Sequence, residues 1–441
     1  MILGGWGRYP VADCRVADLR DETGARDAVL RASATLIARG QGRSYGDAAL
    51  NPAGTLLTRR LNRFLAFDPQ TGDLTCESGV LLDDILSVFV RRGWFPPVTP
   101  GTRQVSLGGM IAADVHGKNH HQAGPFCRHI RALDLMLADG RVVTCSPDQE
   151  PGLFRATCGG MGLTGIILRA TVRLMPIETA WIRQRVIRCA SLSEVMAAFA
   201  AAGDAPYSVA WIDGLSGGGA LGRSVLFLGA HALRQDLPPS LRQDPLRVPE
   251  RRRLSVPVPL PGAVLSPPVV RLFNGVYFRR AQEGTGLVDL DSFFYPLDAV
   301  RHWNRIYGRR GFVQFQCVLP LAASAEGLAR LLAVTAAAGL GSFLSVLKLF
   351  GPGPGGMLSF PMEGYTLALD FPLSAAVPGL LRQLEAIVCD HGGRLYLAKD
   401  ALMTPQTFRS GYPELPGFLA ECDRVGATGC FSSLQSQRVM P

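Results

Sequence analysis

Apolar positions along this chain follow two periods, and the period changes often. Residues 81–92, LLDDILSVFVRR, place Leu82, Ile85, Leu86 and Phe89 on one helical face, and Gly93 follows as a stop. Similar spacing predicts helices over 24–35, 324–339 and 375–390. Alternation predicts strands at Thr35–Ala38, Leu56–Thr58, Phe64–Phe67 and Leu74–Glu77. Two more, Ile130–Ala138 and Val142–Cys145, flank the turn ADGR and read as a hairpin, and GIILRATVRLMP at 165–176 alternates with β-branched residues. Near Glu178 the character changes. Residues 180–230 read as strand, helix, strand. Residues 243–270 are dense in Pro and Arg, carry neither period, and read as a long mobile loop. Strands resume at 311–319, Phe343–Phe350, Tyr365–Phe371 and Arg394–Lys399. A chain of 441 residues exceeds one ordinary core, so two domains are expected.

Glycine punctuates the first part in three clusters: ARGQGRSYGDAALN at 38–51, PVTPGTRQVSLGGMIAADVHGKNHH at 97–121, and Gly159, Gly160, Gly162 and Gly165. Without a Cβ, glycine lets backbone N–H groups approach a large anion. A strand entering a turn with Arg43, Ser44 and Tyr45 is a candidate phosphate cradle. The second cluster runs into Asp114, His116, Lys118, Asn119, His120 and His121, so titratable groups follow an anion cradle. A Gly-rich surface loop would look the same in isolation.

The composition, 47% apolar and 18% charged, is that of a folded globular protein. No run of eighteen uncharged apolar residues predicts a membrane span, and the start lacks the pattern of a signal peptide. Ten scattered cysteines form no C-x-x-C pair or zinc spacing, which suits reduced thiols in the cytosol and no metal. A net charge of +9 points to an anionic partner, but without a basic face interleaved with aromatics it does not point to nucleic acid. The basic residues are 42 arginines and three lysines, Lys118, Lys348 and Lys399. An ammonium shifts its pKa on burial and a guanidinium does not, so each lysine is a site candidate. On the alternating strand GFVQFQCVL, Gln314 and Gln316 share a face, fit either for a polyol or for solvent.

Ordered motifs then carry a resemblance along nearly the whole chain: GWGR at 5–8, the two clusters above, GGMGLTGIILRAT at 159–171 and AWID at 210–213. FYPLD at 294–298, WNRIYG at 303–308, FVQFQ at 312–316, KLFGP at 348–352, LDFP at 369–372 and GGRLYLAKD at 392–400 continue it. The chain resembles the decaprenylphosphoryl-β-D-ribose 2'-oxidases, flavoenzymes of the vanillyl-alcohol-oxidase group. The resemblance implies an α+β, two-domain PCMH-type FAD-binding fold. Residues 1–178 and 394–441 would form the FAD domain from both chain ends. Residues 179–393 would form an inserted substrate domain of antiparallel sheet and helices, with a mobile loop at about 243–285.

The implied cofactor is non-covalent FAD. Arg39, Gly40, Gly42, Arg43, Ser44, Tyr45, Gly46 and Asp47 would hold it from the first cradle, and Gly101, Thr102, Ser106, Leu107, Gly108 and Gly109 from the second. Ala113, Asp114, His116, Gly117, Ile167 and Tyr396 would line the rest. His116, Lys399, Lys118 and Tyr45 are the implied catalytic residues, with His116 or Lys399 as base. Gln314, Gln316, Lys348, Trp211, Thr366, Ala368, Asp370 and Phe294 would bind substrate.

The implied reaction oxidises the 2'-hydroxyl of a polyprenyl-phosphoryl ribofuranose, and an NAD(P)H-dependent short-chain reductase would complete epimerisation to arabinose. The implied location is cytoplasmic, at the inner face of the plasma membrane, with the Pro/Arg loop and its triplet 251–253 a candidate contact for anionic lipid. A same-fold oxidase of a soluble sugar, alditol or aldonolactone is the alternative, and a non-catalytic partner of a reductase is a third reading. Mycobacterial members place Asn and Cys where this chain has Thr366 and Ala368, and a family Tyr is Phe294 here. Covalent nitroaromatic inhibitors that attack that Cys are therefore not expected to form an adduct.

Overall fold

The computed structural model describes residues 1–250, 254–353 and 355–440. The arginine triplet 251–253 lies outside the described residues.

Strongly periodic stretches fold as their pattern dictates. Leu82–Phe89 is a helix that buries Leu82, Ile85, Leu86 and Phe89. The helix expected over 24–35 is Glu22–Leu30: it starts two residues earlier, where the Asp21 carboxylate caps it by accepting from the Gly24 N–H at 2.7 Å, and ends five residues earlier. Val142–Cys145 pairs antiparallel with Ile130–Met136, the expected hairpin.

Two sheets dominate. A five-stranded sheet runs in the order Val142–Cys145, Ile130–Met136, Ile166–Arg173, Asp73–Glu77, Phe64–Phe67. A small parallel sheet of Val16–Asp18, Thr55–Leu57 and Ile37–Arg39 belongs to the same part of the chain. The chain end returns to it: the Leu36 N–H donates to the Cys430 carbonyl at 2.8 Å and the Ser432 N–H to the Leu36 carbonyl at 2.9 Å. An eight-stranded sheet takes the order Gly284–Asp289, Trp181–Cys189, Ser224–His231, Tyr207–Ile212, Ser345–Phe350, Gly364–Pro372, Phe312–Pro320, Arg394–Leu395. The helix Ser324–Ala338 is apolar and packs one face, with Leu328, Leu331 and Leu332, into the core.

Two expectations need correcting. Residues 243–285 are not one loop: Pro267–Arg280 is a 14-residue helix, and Gly284–Asp289 is an edge strand. The prolines that disguised the helix open its first turn, where a missing N–H costs nothing. The strand expected at Arg394–Lys399 ends at Leu395, and the following residues turn back, with the Lys399 N–H donating to the Tyr396 carbonyl at 2.9 Å.

Candidate active site

One deep cavity lies between the glycine-rich loops and the large sheet, with about 1820 Å³ of space including its mouth. Its loop side is built from the first two glycine clusters, with Gly162 and Gly165 of the third. Gly40, Gly42, Arg43, Ser44 and Tyr45 line it from the first, and Gly101, Thr102, Ser106, Gly108 and Gly109 from the second. Among the described residues, the backbone N–H groups of Gly40, Gln41, Gly42, Arg43 and Ser44 have no acceptor in the protein. Five unused donors on one turn facing a cavity form a nest for an anion. The glycines serve mainly to bring loops together. A Cβ on Gly46 would overlap the Asp400 carbonyl, and one on Gly108 would lie 2.8 Å from the Ser78 Cβ. Only at Gly101 among the cradle glycines would a Cβ meet open space.

The opposite wall is the face shared by three adjacent strands. In Phe312–Pro320, Gln314 and Gln316 point into the cavity, as their two-residue spacing requires. Thr366 and Ala368 come from Gly364–Pro372, and Val346 and Lys348 from Ser345–Phe350. The register sets Gln316 opposite Ala368 and Thr366 opposite Lys348. Tyr396 and Lys399, on the turn after Leu395, close one end.

The wall holds two polar chains. The Gln316 amide contacts His116 Nε2 at 3.1 Å and donates to Thr366 Oγ1 at 3.2 Å. With the Gln316 N–H donating to Nε2, the imidazole proton sits on Nδ1, which is buried without a partner. Burial, with Lys348, His120 and Lys399 nearby, holds His116 well below its ordinary pKa, so it is neutral. In the second chain, Gln314 and Tyr307 donate to the buried carboxylate of Asp370, the latter at 3.0 Å. Lys399 Nζ lies 3.6 Å from the Tyr45 ring centroid. Burial pushes the Asp370 carboxyl up and the Lys399 ammonium down, and the attraction between them opposes both shifts. Burial also lowers Lys348 to about 8.

An FAD binding domain family matches residues 24–146. The chain is 37% identical to the decaprenylphosphoryl-β-D-ribose oxidase of Mycolicibacterium smegmatis, over 99% of this chain and 97% of that protein. The chain belongs to the decaprenylphosphoryl-β-D-ribose oxidase family. It is 33% identical to an uncharacterised protein of Streptomyces coelicolor over 82% of this chain. A D-arabinono-1,4-lactone oxidase of Yarrowia lipolytica is 31% identical over 35% of this chain and 30% of its own length.

Membership in this oxidase family makes the chain an FAD-dependent oxidoreductase acting on a CH–OH group. The cavity fits the cofactor. The free N–H groups of 40–44 suit a pyrophosphate, and Ser78, whose buried hydroxyl has no partner, lines the same space. Ala113, His116, Ile167 and Tyr396 line the cavity as expected of flavin-lining residues.

Other expected residues act behind the surface. Arg39 shapes the first cradle by donating to the Gly4 carbonyl at 2.7 Å and the Ala49 carbonyl at 3.2 Å. Asp47 pairs with Arg438 at 2.9 Å, and Asp400 with the same guanidinium at 2.8 Å, which clamps the cradle to the chain end. Asp114 accepts from the Cys127 N–H at 2.9 Å and from the Ser359 hydroxyl, fixing the turn that presents His116. Leu107 is core, and Gly46 and Gly117 are packed against neighbouring chain.

Four of the residues expected to act in catalysis or substrate binding also lie off the cavity. Lys118 donates to the Phe293 carbonyl and lies 4.3 Å from that residue's ring centroid. Phe294 is buried against Phe95, Tyr207 and Phe293. Trp211 bonds the Phe343 carbonyl through Nε1 at 2.9 Å and packs on Tyr277. Asp370 is covered by Gln314 and Tyr307.

Conversely, Trp6 and Trp303 line the cavity, meeting edge-on at 5.6 Å, with the Arg43 guanidinium 4.1 Å from the Trp6 ring centroid. Both lie inside recognised motifs, GWGR and WNRIYG, and an aromatic in a polar motif was the available signal.

Proposed function

We propose that this enzyme oxidises the 2'-hydroxyl of a polyprenyl-phosphoryl-β-D-ribofuranose to the ketone, the first half of an epimerisation that yields an arabinose donor. One observation carries the reading. Lys348, Gln314 and Gln316 share one wall of the cavity, facing the loops suited to FAD, and Lys399 closes its end. Amides suit sugar hydroxyls, and an ammonium suits a phosphodiester. The full-length likeness to an oxidase named for that substrate supports it.

Alcohol oxidation removes a hydride from carbon and a proton from oxygen. Bound FAD supplies the hydride acceptor. Lys399 takes the proton: its lowered pKa leaves a free amine available near neutral pH, the condition for an efficient base. His116 is the weaker candidate. It protonates only well below neutrality, and its Nε2 lone pair is engaged by Gln316, which leaves Nδ1–H as a donor. It orients Gln316 and through it the sugar. Lys348 binds the phosphate, and Thr366 and Ala368 shape the space beside it. FAD is held without a covalent bond. His120 and His121 do not line the cavity, and His116 is already committed to Gln316.

On this reading residues 1–178 and 394–441 form the FAD domain and 179–393 the substrate domain. The enzyme works at the cytoplasmic face of the membrane, and a short-chain reductase consumes its product. The test is turnover on lipid-linked and water-soluble ribose phosphodiesters beside free alditols and aldonolactones. A higher kcat/KM on the phosphodiesters is expected. Equal or better turnover of an alditol or lactone would overturn the substrate assignment.

A further inference from the structure

Eight of the 17 large apolar side chains that stand exposed on the described residues fall between 254 and 277. Five of them, Val269, Leu272, Phe273, Val276 and Tyr277, recur at i, i+3, i+4, i+7 and i+8 along the helix Pro267–Arg280. They make one stripe, and Leu272 at its centre is 69% exposed. The opposite face is buried at Val270 and Asn274. A helix that buries one face and turns an apolar stripe outward is covered by something else.

Charge identifies the cover. Arg271, Arg279 and Arg280 lie on this helix, residues 254–281 contain no acidic residue, and none of the three arginines pairs with a carboxylate among the described residues. Apolar residues flanked by unpaired arginines fit the boundary between acyl chains and anionic headgroups. A second protein surface would have to present carboxylates around an apolar groove.

We propose that the helix Pro267–Arg280 lies flat in the surface of an anionic bilayer and seats the cavity mouth there. The inner side of the helix supports this use. Leu265 and Val270 pack in one cluster with Tyr45, Trp303 and Tyr307, and Tyr45 and Trp303 are walls of the cavity. At the edge of the stripe, the half-exposed Phe273 meets Phe343 at 5.3 Å, next to the lining residue Leu344. The stripe and the cavity therefore lie on two sides of one packed layer, so a lipid-linked sugar could reach the wall without its tail crossing water. The delivery of substrate rests on the function proposed above; the bilayer contact does not.

The test uses FAD-loaded enzyme and sedimentation with phosphatidylcholine vesicles, with and without phosphatidylglycerol. Wild type should pellet with the anionic vesicles and be released by high salt. The double variant Val269→Asp/Leu272→Asp should lose about tenfold in partitioning, while keeping its flavin absorbance, thermal midpoint and turnover of a water-soluble ribose phosphodiester. Wild type that stays in the supernatant, or a variant that pellets equally, overturns the proposal. So does a wild-type dimer in analytical ultracentrifugation that the same changes dissociate, because a second copy would then be the cover. Vesicle binding is read without substrate, so a wrong substrate assignment leaves this result intact.

Discussion

Asp370→Asn separates a catalytic lysine from a merely buried one. Asp370 is an ionisable carboxyl in a buried network with Gln314 and Tyr307, and its charge raises the pKa of Lys399 against the effect of burial. Asparagine keeps the shape and an acceptor oxygen but removes the charge. Lys399 should then lose its proton more easily. A neighbouring opposite charge, fully ionised, shifts a group's pKa by roughly 1–3 units. Asp370 is itself pushed up to about 7 and is only partly ionised at neutral pH, which brings the expected shift to about one unit.

The sign follows from the role. A base must be neutral, so wild-type kcat/KM rises with pH through the Lys399 pKa. In the variant that acid limb should move about one unit towards acid. Its activity relative to wild type should thus be higher at pH 6 than at pH 8. The assay is the pH profile of kcat/KM under anaerobic single-turnover conditions, with flavin absorbance as the readout. A limb that stays in place, or moves towards alkali, would refute Lys399 as the titrating base.

Lys399→Ala should retain FAD and lower kcat by about 10²- to 10⁴-fold, measured by stopped-flow flavin reduction. Lys348→Met should act mainly on KM for phosphodiester substrates and little on a neutral alditol; an equal loss on both would argue against a phosphate contact. Gly101→Ala should leave apoprotein stability unchanged, because its methyl meets no protein atom, yet weaken FAD binding by about 1–3 kcal/mol in a fluorescence titration. Gly46→Ala should instead lower the melting temperature of apo and loaded protein alike, because its methyl overlaps the Asp400 carbonyl. Among the described residues no cysteine lines the cavity, and Ala368 has no thiol, so mass spectrometry should find no nitroaromatic adduct in the cavity until Ala368→Cys supplies one.

Much of the site was legible because its chemistry is written in local patterns. The two-residue repeat of Gln314 and Gln316 placed both amides on one strand face, and the structure turns that face to the cavity rather than to solvent. The scarcity of lysine pointed to Lys348 and Lys399, which line the cavity. It also pointed to Lys118, whose ammonium is used on the Phe293 carbonyl and ring, and nothing in local spacing separates that role from catalysis. The glycines were read as making room for a ligand, but most make room for other loops. That distinction depends on contacts as distant as Gly46 to Asp400. The helix Pro267–Arg280 was missed because prolines at its start and arginines through it hid an apolar stripe that faces outward. Phe294 was inferred from a motif position alone, and its ring packs into an aromatic cluster with Phe95, Tyr207 and Phe293.

The most direct test of the central claim is anaerobic. The purified protein should be yellow, and polyprenyl-phosphoryl ribose should bleach its flavin absorbance rapidly in wild type and far more slowly in Lys399→Ala. A yellow protein that this substrate leaves unbleached would contradict the proposed reaction.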